Sequence, residues 1–177
     1  MRKPKIEPLV SPKGYVTIPR EIFNRIIKLI TEKKYIELIF FYAAAIENEM
    51  ARLIELNEIW AGRVLKSKAI TLEMKKYREA RSSGGMTLGS QLNYLRIFVD
   101  SSESNKKFLL EPLEEFIDLR NRVIHRLYKQ DLTKLELEIF EKHQYYLNLI
   151  RRLRTRQEAL EKKINLSHRR EHKKKAI

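Results

Sequence analysis

Cysteine is absent from this sequence, which excludes disulfides, thiol catalysis and Cys-based zinc sites. Four histidines remain, too scattered to make a metal case alone, and no cofactor is expected. Only 5 glycines and 5 prolines occur in 177 residues, which disfavours a turn-rich β fold and favours long helices. No apolar run reaches the ~18 residues that would span a bilayer. The best, residues 35–46, is broken by Glu37 and bounded by charges. The opening MRKPKIEP lacks the apolar core of a signal peptide, so a cytoplasmic location and no membrane partner are expected.

What is present is charge, unevenly placed. The formal net charge is +14 and 34% of residues are charged. Residues 1–20 carry Arg2, Lys3, Lys5, Lys13 and Arg20 against Glu7, and residues 151–177 carry eleven Lys or Arg against three Glu. Basic ends around a nearly neutral middle suit a polyanion such as nucleic acid, whose phosphates release counterions when cations neutralise them. An anionic membrane surface would be attracted by the same field. A Lys-rich end taken by itself reads as a solvated tail.

The chain is long enough for one core, and 43% of it is hydrophobic. Three parts are expected: an extended basic arm over 1–18, a helical domain over 19–165 and a disordered basic tail over 166–177. Pro19 fits the first position of a helix. Ile22, Phe23, Ile26, Ile27 and Ile30 then recur at helical spacing. Thr31 is expected to cap a second helix reaching about Leu56, whose middle, IELIFFYAAAIENEM, is apolar nearly all round and belongs at the centre of a bundle or in a dimer. A third helix is expected over 68–81, and SSGG marks a break. Thr87 caps LGSQLNYLRIFV, DSSESN reads as a loop, and Pro112 marks the start of LEEFIDLRNRVIHRLYKQ. Asp131 and Thr133 are cap candidates for a last long helix that turns steadily more basic. The fold class is all-α, with about five helices.

The informative segment is FIDLRNRVIHRLY, with Arg120 and Asn121 followed after three residues by His125, and then Tyr128. At 100° per residue, Glu114, Asp118, Asn121, His125 and Tyr128 lie within about 80° of one another and form a polar stripe. Arg120 falls between two apolar rows and needs a carboxylate, phosphate or carbonyl partner; Asp118 or Glu47 would serve in a purely structural role. Glu115, Arg122 and Arg126 share a face expected to meet solvent. Arg120 and His125 diverge by about 140°, so one regular helix cannot aim both at one phosphate. A helix irregularity or a second protomer must bring them together.

An Arg-Asn-x-x-x-His stretch late in an all-helical chain resembles the HEPN superfamily. The likeness runs from the second helix through the last, and the short motif is its diagnostic part. It implies an HEPN-like helical bundle, a homodimer with the motif at the subunit boundary, and metal-independent RNA cleavage through the ribose 2′-hydroxyl. His125 would then be general base or acid, and Arg120 would stabilise charge growing on the phosphate. Asn121 would orient His125 or donate to a phosphate oxygen, with Tyr128 and Asp118 in support. Arg122, Arg126, Arg169, Arg170, Lys173, Lys174 and Lys175 would bind the nucleic acid. Some HEPN toxins pair with a nucleotidyltransferase antitoxin and carry a Tyr two residues after the His, whereas Tyr128 stands three after His125.

Two other functions compete. One is a non-catalytic HEPN module that binds RNA or protein. The other is a DNA-binding regulator, because VSPKGYVTIPREIF resembles the first half of the swapped-hairpin antitoxin family, although that family's second Gly-Asp turn and strand are missing here. His143 reads as a solvated or interfacial histidine, and His168 and His172 lie in the tail.

Overall fold

The computed structural model describes residues 20–64, 68–82, 86–99, 102–126 and 132–175. The expected arm, Pro19, Asp131 and most of the SSGG break lie outside them. Every regular element among the described residues is helical: α1 Arg20–Thr31, α2 Tyr35–Val64, α3 Lys68–Ser82 and α4 Leu88–Leu95 come first. Then α5 Glu103–Asn105 passes through a π-helical segment, Lys106–Leu110, into α6 Glu111–Arg126, and α7 Leu132–Lys175 ends the described chain. Because α5, the π segment and α6 form one rod, the architecture is an all-α bundle of six rods, close to the five expected.

The first corner differs from expectation. Thr31 ends α1 instead of capping α2, and its hydroxyl donates back to Ile27 O at 2.8 Å. The turn is closed by Lys34 N donating to Leu29 O at 2.9 Å and Lys33 N to Ile30 O at 3.1 Å, a Schellman arrangement. Lys33 takes the left-handed position at φ 56°, where glycine is usual.

The second helix, α2, is the central one, as its apolar character predicts. It buries Leu38, Ile39, Tyr42, Ile46, Met50 and Leu53 completely, and it runs to Val64, beyond the expected end at Leu56. Its main neighbour is α7. The Tyr42 hydroxyl donates to His143 O at 3.1 Å, Arg154 Nε to a Glu49 carboxylate oxygen at 3.0 Å, and Arg52 to Glu161 at 3.2 Å. Both sets of numbers rise together, so the two helices are parallel.

By contrast α6 is antiparallel to α7. Arg152 reaches the Phe108 carbonyl, Tyr145 meets Glu115, and Arg122 pairs with Glu138. Each pair is equidistant from position 130 and successive pairs are seven residues apart, the spacing of a coiled-coil seam. Phe116 and Tyr146 fill its interior edge to face, with ring centroids 5.0 Å apart.

The helical rod of α6 begins earlier than Pro112 suggests. Ser102 is the N-cap of α5, accepting from Asn105 N at 3.4 Å, so part of the expected DSSESN loop is helix. Pro112 lies within the rod, where it has no N–H to donate to the carbonyl four residues back. That carbonyl belongs to Phe108, and Arg152 Nη1 from α7 donates to it at 3.0 Å. The π segment ends as Glu111 N reaches back to Lys106 O, which widens the helix just before the proline. A long-range partner thus lets a proline sit where a local rule would start a new helix.

As expected, Thr87 caps α4, its side chain accepting from Ser90 N at 3.2 Å. The helix closes at Leu95, short of the expected LGSQLNYLRIFV. Tyr77 on α3 stacks on Tyr94 at 3.9 Å, and buried Glu58 of α2 accepts from Tyr94 Oη and Arg78 Nε, each at 3.0 Å. Burial first, and then the Glu58 charge, pushes the Tyr94 hydroxyl well above its ordinary range. At the other end, α7 stays helical through residue 175, where a disordered tail is expected from 166.

Candidate active site

The helix that carries the motif is fixed on three sides, against α2, α4 and α7. Leu113, Phe116, Leu119 and Val123 supply the buried row, none of them exposed at all. Arg96 at the end of α4 bonds Glu114 on the flank. Toward the C-terminal end, Arg122 donates from Nη1 and Nη2 to both carboxylate oxygens of Glu138, at 2.9 and 2.7 Å. Lys142 joins Glu138 at 3.3 Å. The Arg122 hydrogen bonds, opposed by burial, hold the Glu138 carboxyl below its ordinary value, and the guanidinium is held up in return. The face that carries Glu115 and Arg122 was expected to meet solvent. Glu115 is exposed as expected, whereas Arg122 is half-buried beside α7 and committed to an ion pair, because α7 folds back beside α6.

Arg120 is half-buried, as its place between two apolar rows requires. Its Nη1 donates to Asn121 Oδ1 at 3.1 Å. Among the described residues no carboxylate lies within 4.0 Å of that guanidinium. Neither Asp118 nor Glu47 is the partner: Asp118 is exposed, and Glu47 accepts from Gln91 at 3.4 Å. The charge of Arg120 is therefore steered by a neutral amide oxygen and keeps its capacity for an anion. Using its oxygen on Arg120 leaves the Asn121 amide N–H groups to donate elsewhere.

His125 is exposed near the end of α6, on the same face as Asp118. The helix is regular α throughout Arg120–His125, and the π segment ends ten positions before Arg120. One of the two ways of uniting Arg120 with His125 is thereby removed, since no irregularity turns them together within the chain. Tyr128 lies outside the described residues, as do the side chains of Arg126, Arg169, Arg170 and Lys173 to Lys175 and those of His168 and His172. The backbone of the basic residues in α7 is helical.

His143 is half-buried, with its ring stacked on Phe140 at 5.5 Å, its Nδ1 against the Phe140 carbonyl, and its own carbonyl holding Tyr42. An open groove of about 360 Å³ between α3 and α4, bordered by Tyr77, Asn93, Tyr94 and Ile97, contains none of the motif residues. Among the described residues no helix is long and apolar enough to cross a membrane. Sequence reasoning missed Glu138 and Arg152, two of the α7 residues that pin the rod carrying the motif. The signal is in the sequence: folding 108–126 and 132–152 as a hairpin about residue 130 sets them opposite Arg122 and Phe108. No known protein family, curated protein or solved structure matches this chain.

Proposed function

We propose that this chain is a metal-independent endoribonuclease of HEPN type, acting as a homodimer. The observation that carries this reading is the Arg120–Asn121 hydrogen bond on a rigidly held helix. It offers a half-buried guanidinium with no described carboxylate to quench it, and an exposed imidazole stands five residues further on.

Imidazole is the side chain that exchanges protons near neutral pH. In the proposed reaction His125 removes the proton from a ribose 2′-hydroxyl, or returns one to the leaving oxygen. The 2′-oxygen attacks phosphorus, the bond to the next ribose 5′-oxygen breaks, and a 2′,3′-cyclic phosphate and a 5′-hydroxyl result. Arg120 stabilises the charge that builds on the phosphoryl oxygens, and the Asn121 amide donates to one of them. Since the two groups diverge by about 140° on a regular helix, the second one comes from a symmetry-related copy. A toxin or defence effector is the role such an activity fits, and a nucleotidyltransferase antitoxin is a candidate partner.

The test is cleavage of a single-stranded RNA and tRNA panel in EDTA, comparing wild type with His125→Ala and Arg120→Ala at matched folding. Wild type is expected to leave cyclic-phosphate ends, and each variant to lose at least about 100-fold in rate. Mixing the two inactive variants is expected to restore roughly a quarter of the activity, because half of randomly assorted dimers contain one intact composite site of two. Binding of RNA without cleavage, or equal cleavage without His125, would replace this reading with that of a non-catalytic RNA-binding module.

A further inference from the structure

The outer face of α7 carries charge that no carboxylate among the described residues neutralises. Ile150, Leu153, Gln157, Leu160 and Ile164 form its buried row. The helical period sets Arg151, Arg152, Arg156, Lys162 and Lys163 within an arc of about 140° on the opposite side. Thr155 and Ala159 share that arc, and Glu158 stands at its edge. Five arginines elsewhere are neutralised: Arg52, Arg78, Arg96, Arg122 and Arg154 each meet a carboxylate. On this face Arg151 donates to Asn148 Oδ1 at 2.9 Å and Arg152 to the Phe108 carbonyl at 3.0 Å, both uncharged oxygens. Among the described residues no carboxylate comes within 4.0 Å of any of the five cations.

The face also has a useful length and an aromatic end. Arg151 to Lys163 spans about 18 Å at 1.5 Å per residue. That matches about five phosphates of a stacked strand spaced 3.4 Å apart. Phe108, 41% exposed, lies beside Arg152, whose Cζ is 5.3 Å from the ring centroid. Cations in a row beside an exposed ring are the elements of a single-strand track, in which phosphates meet charge and a base stacks on the aromatic.

We propose that the outer face of α7, from Arg151 to Lys163 with Phe108 beside it, is a sequence-independent binding track for the backbone of single-stranded RNA. The choice of RNA over another polyanion rests on the ribonuclease reading. Arg156, Lys162 and Lys163 make no bond within the described fold, so their charge is removable without disturbing it.

The experiment measures anisotropy of a labelled 20-nucleotide RNA in His125→Ala protein, which binds without cutting, against salt concentration. Adding Arg156→Gln, Lys162→Gln and Lys163→Gln together is expected to flatten the salt dependence by about 2, at roughly 0.7 for each phosphate no longer neutralised. Affinity at 0.1 M salt is expected to fall on the order of 100-fold, and Phe108→Ala to cost roughly tenfold more. An unchanged salt slope overturns the track, even if wild type cuts RNA. Equal binding of polyglutamate of the same charge also overturns it, in favour of an acidic protein partner. A slope that falls as expected in a protein that never cuts keeps the track and discards the ribonuclease.

Discussion

Replacing Glu138 by Gln tests whether the C-terminal end of α6, which carries Arg120 and His125, is held by its ion pair to α7. The substitution keeps the shape and one acceptor but removes the charge that Arg122 grips with two hydrogen bonds, at 2.9 and 2.7 Å. The pair is partly open to solvent, with side chains 37% and 28% exposed, so screening cuts its worth toward the surface range. Its bidentate geometry raises it again, and a loss of about 1 kcal/mol at pH 7 follows. For a domain of this size that is a fall of about 3 °C in Tm. The pH dependence identifies the cause. Glu138 is held below its ordinary 4.5 in the fold, chiefly by the Arg122 hydrogen bonds. A carboxyl depressed by folding contributes its full stabilisation above its unfolded value and loses it as pH falls through its folded value. The gap between wild type and Glu138→Gln is therefore widest at neutral pH and closes in acid well below 4.5, once the carboxyl is protonated. Thermal melts of both proteins across that range provide the assay. A gap that is absent at pH 7, or one that persists unchanged in acid, refutes the reasoning.

Three further outcomes are expected from equilibrium urea unfolding at pH 7. Lys33→Gly relieves the left-handed backbone at φ 56° and raises stability by about 0.5 kcal/mol, after subtracting the entropy that glycine adds to the unfolded chain; a loss would show that Lys33 contributes more than its conformation costs. Tyr146→Phe removes a buried hydroxyl with no hydrogen-bond partner among the described residues and stabilises by up to about 1 kcal/mol, so a clear loss would reveal a bound water there. Phe116→Ala opens a cavity beside Tyr146 and costs about 3–5 kcal/mol, which a near-neutral result would contradict.

Elements whose identity depends on period and nearby caps were legible in the sequence. The apolar girth of α2 predicts a central helix, Thr87 predicts its own cap, and the place of Arg120 between apolar rows predicts its half-buried state. What failed were local rules overridden from a distance. Pro112 reads as a helix start because a proline frees a carbonyl, and nothing near it in sequence announces that Arg152 covers that carbonyl. Thr31 reads as a cap because its hydroxyl suits that role, yet the same hydroxyl back-bonds to Ile27 while Lys33 makes the turn. Arg122 reads as solvated until α7 is folded back beside it. At the candidate site the divergence of Arg120 from His125 follows from the period alone, whereas their partners depend on which helices meet.

The parallel pairing of α2 with α7 delays the moment at which the protein can become itself. The bonds that join these helices link residues 101 to 109 positions apart. A ribosome adding 5–20 residues per second leaves the greasy flank of α2 without its mate for about 5–20 s. During that interval the apolar flank of α2 is open to self-association, and the helix bearing Arg120 and His125 has no α7 to lean on. The α2–α7 contact is thus completed only after translation has passed the distal half of α7.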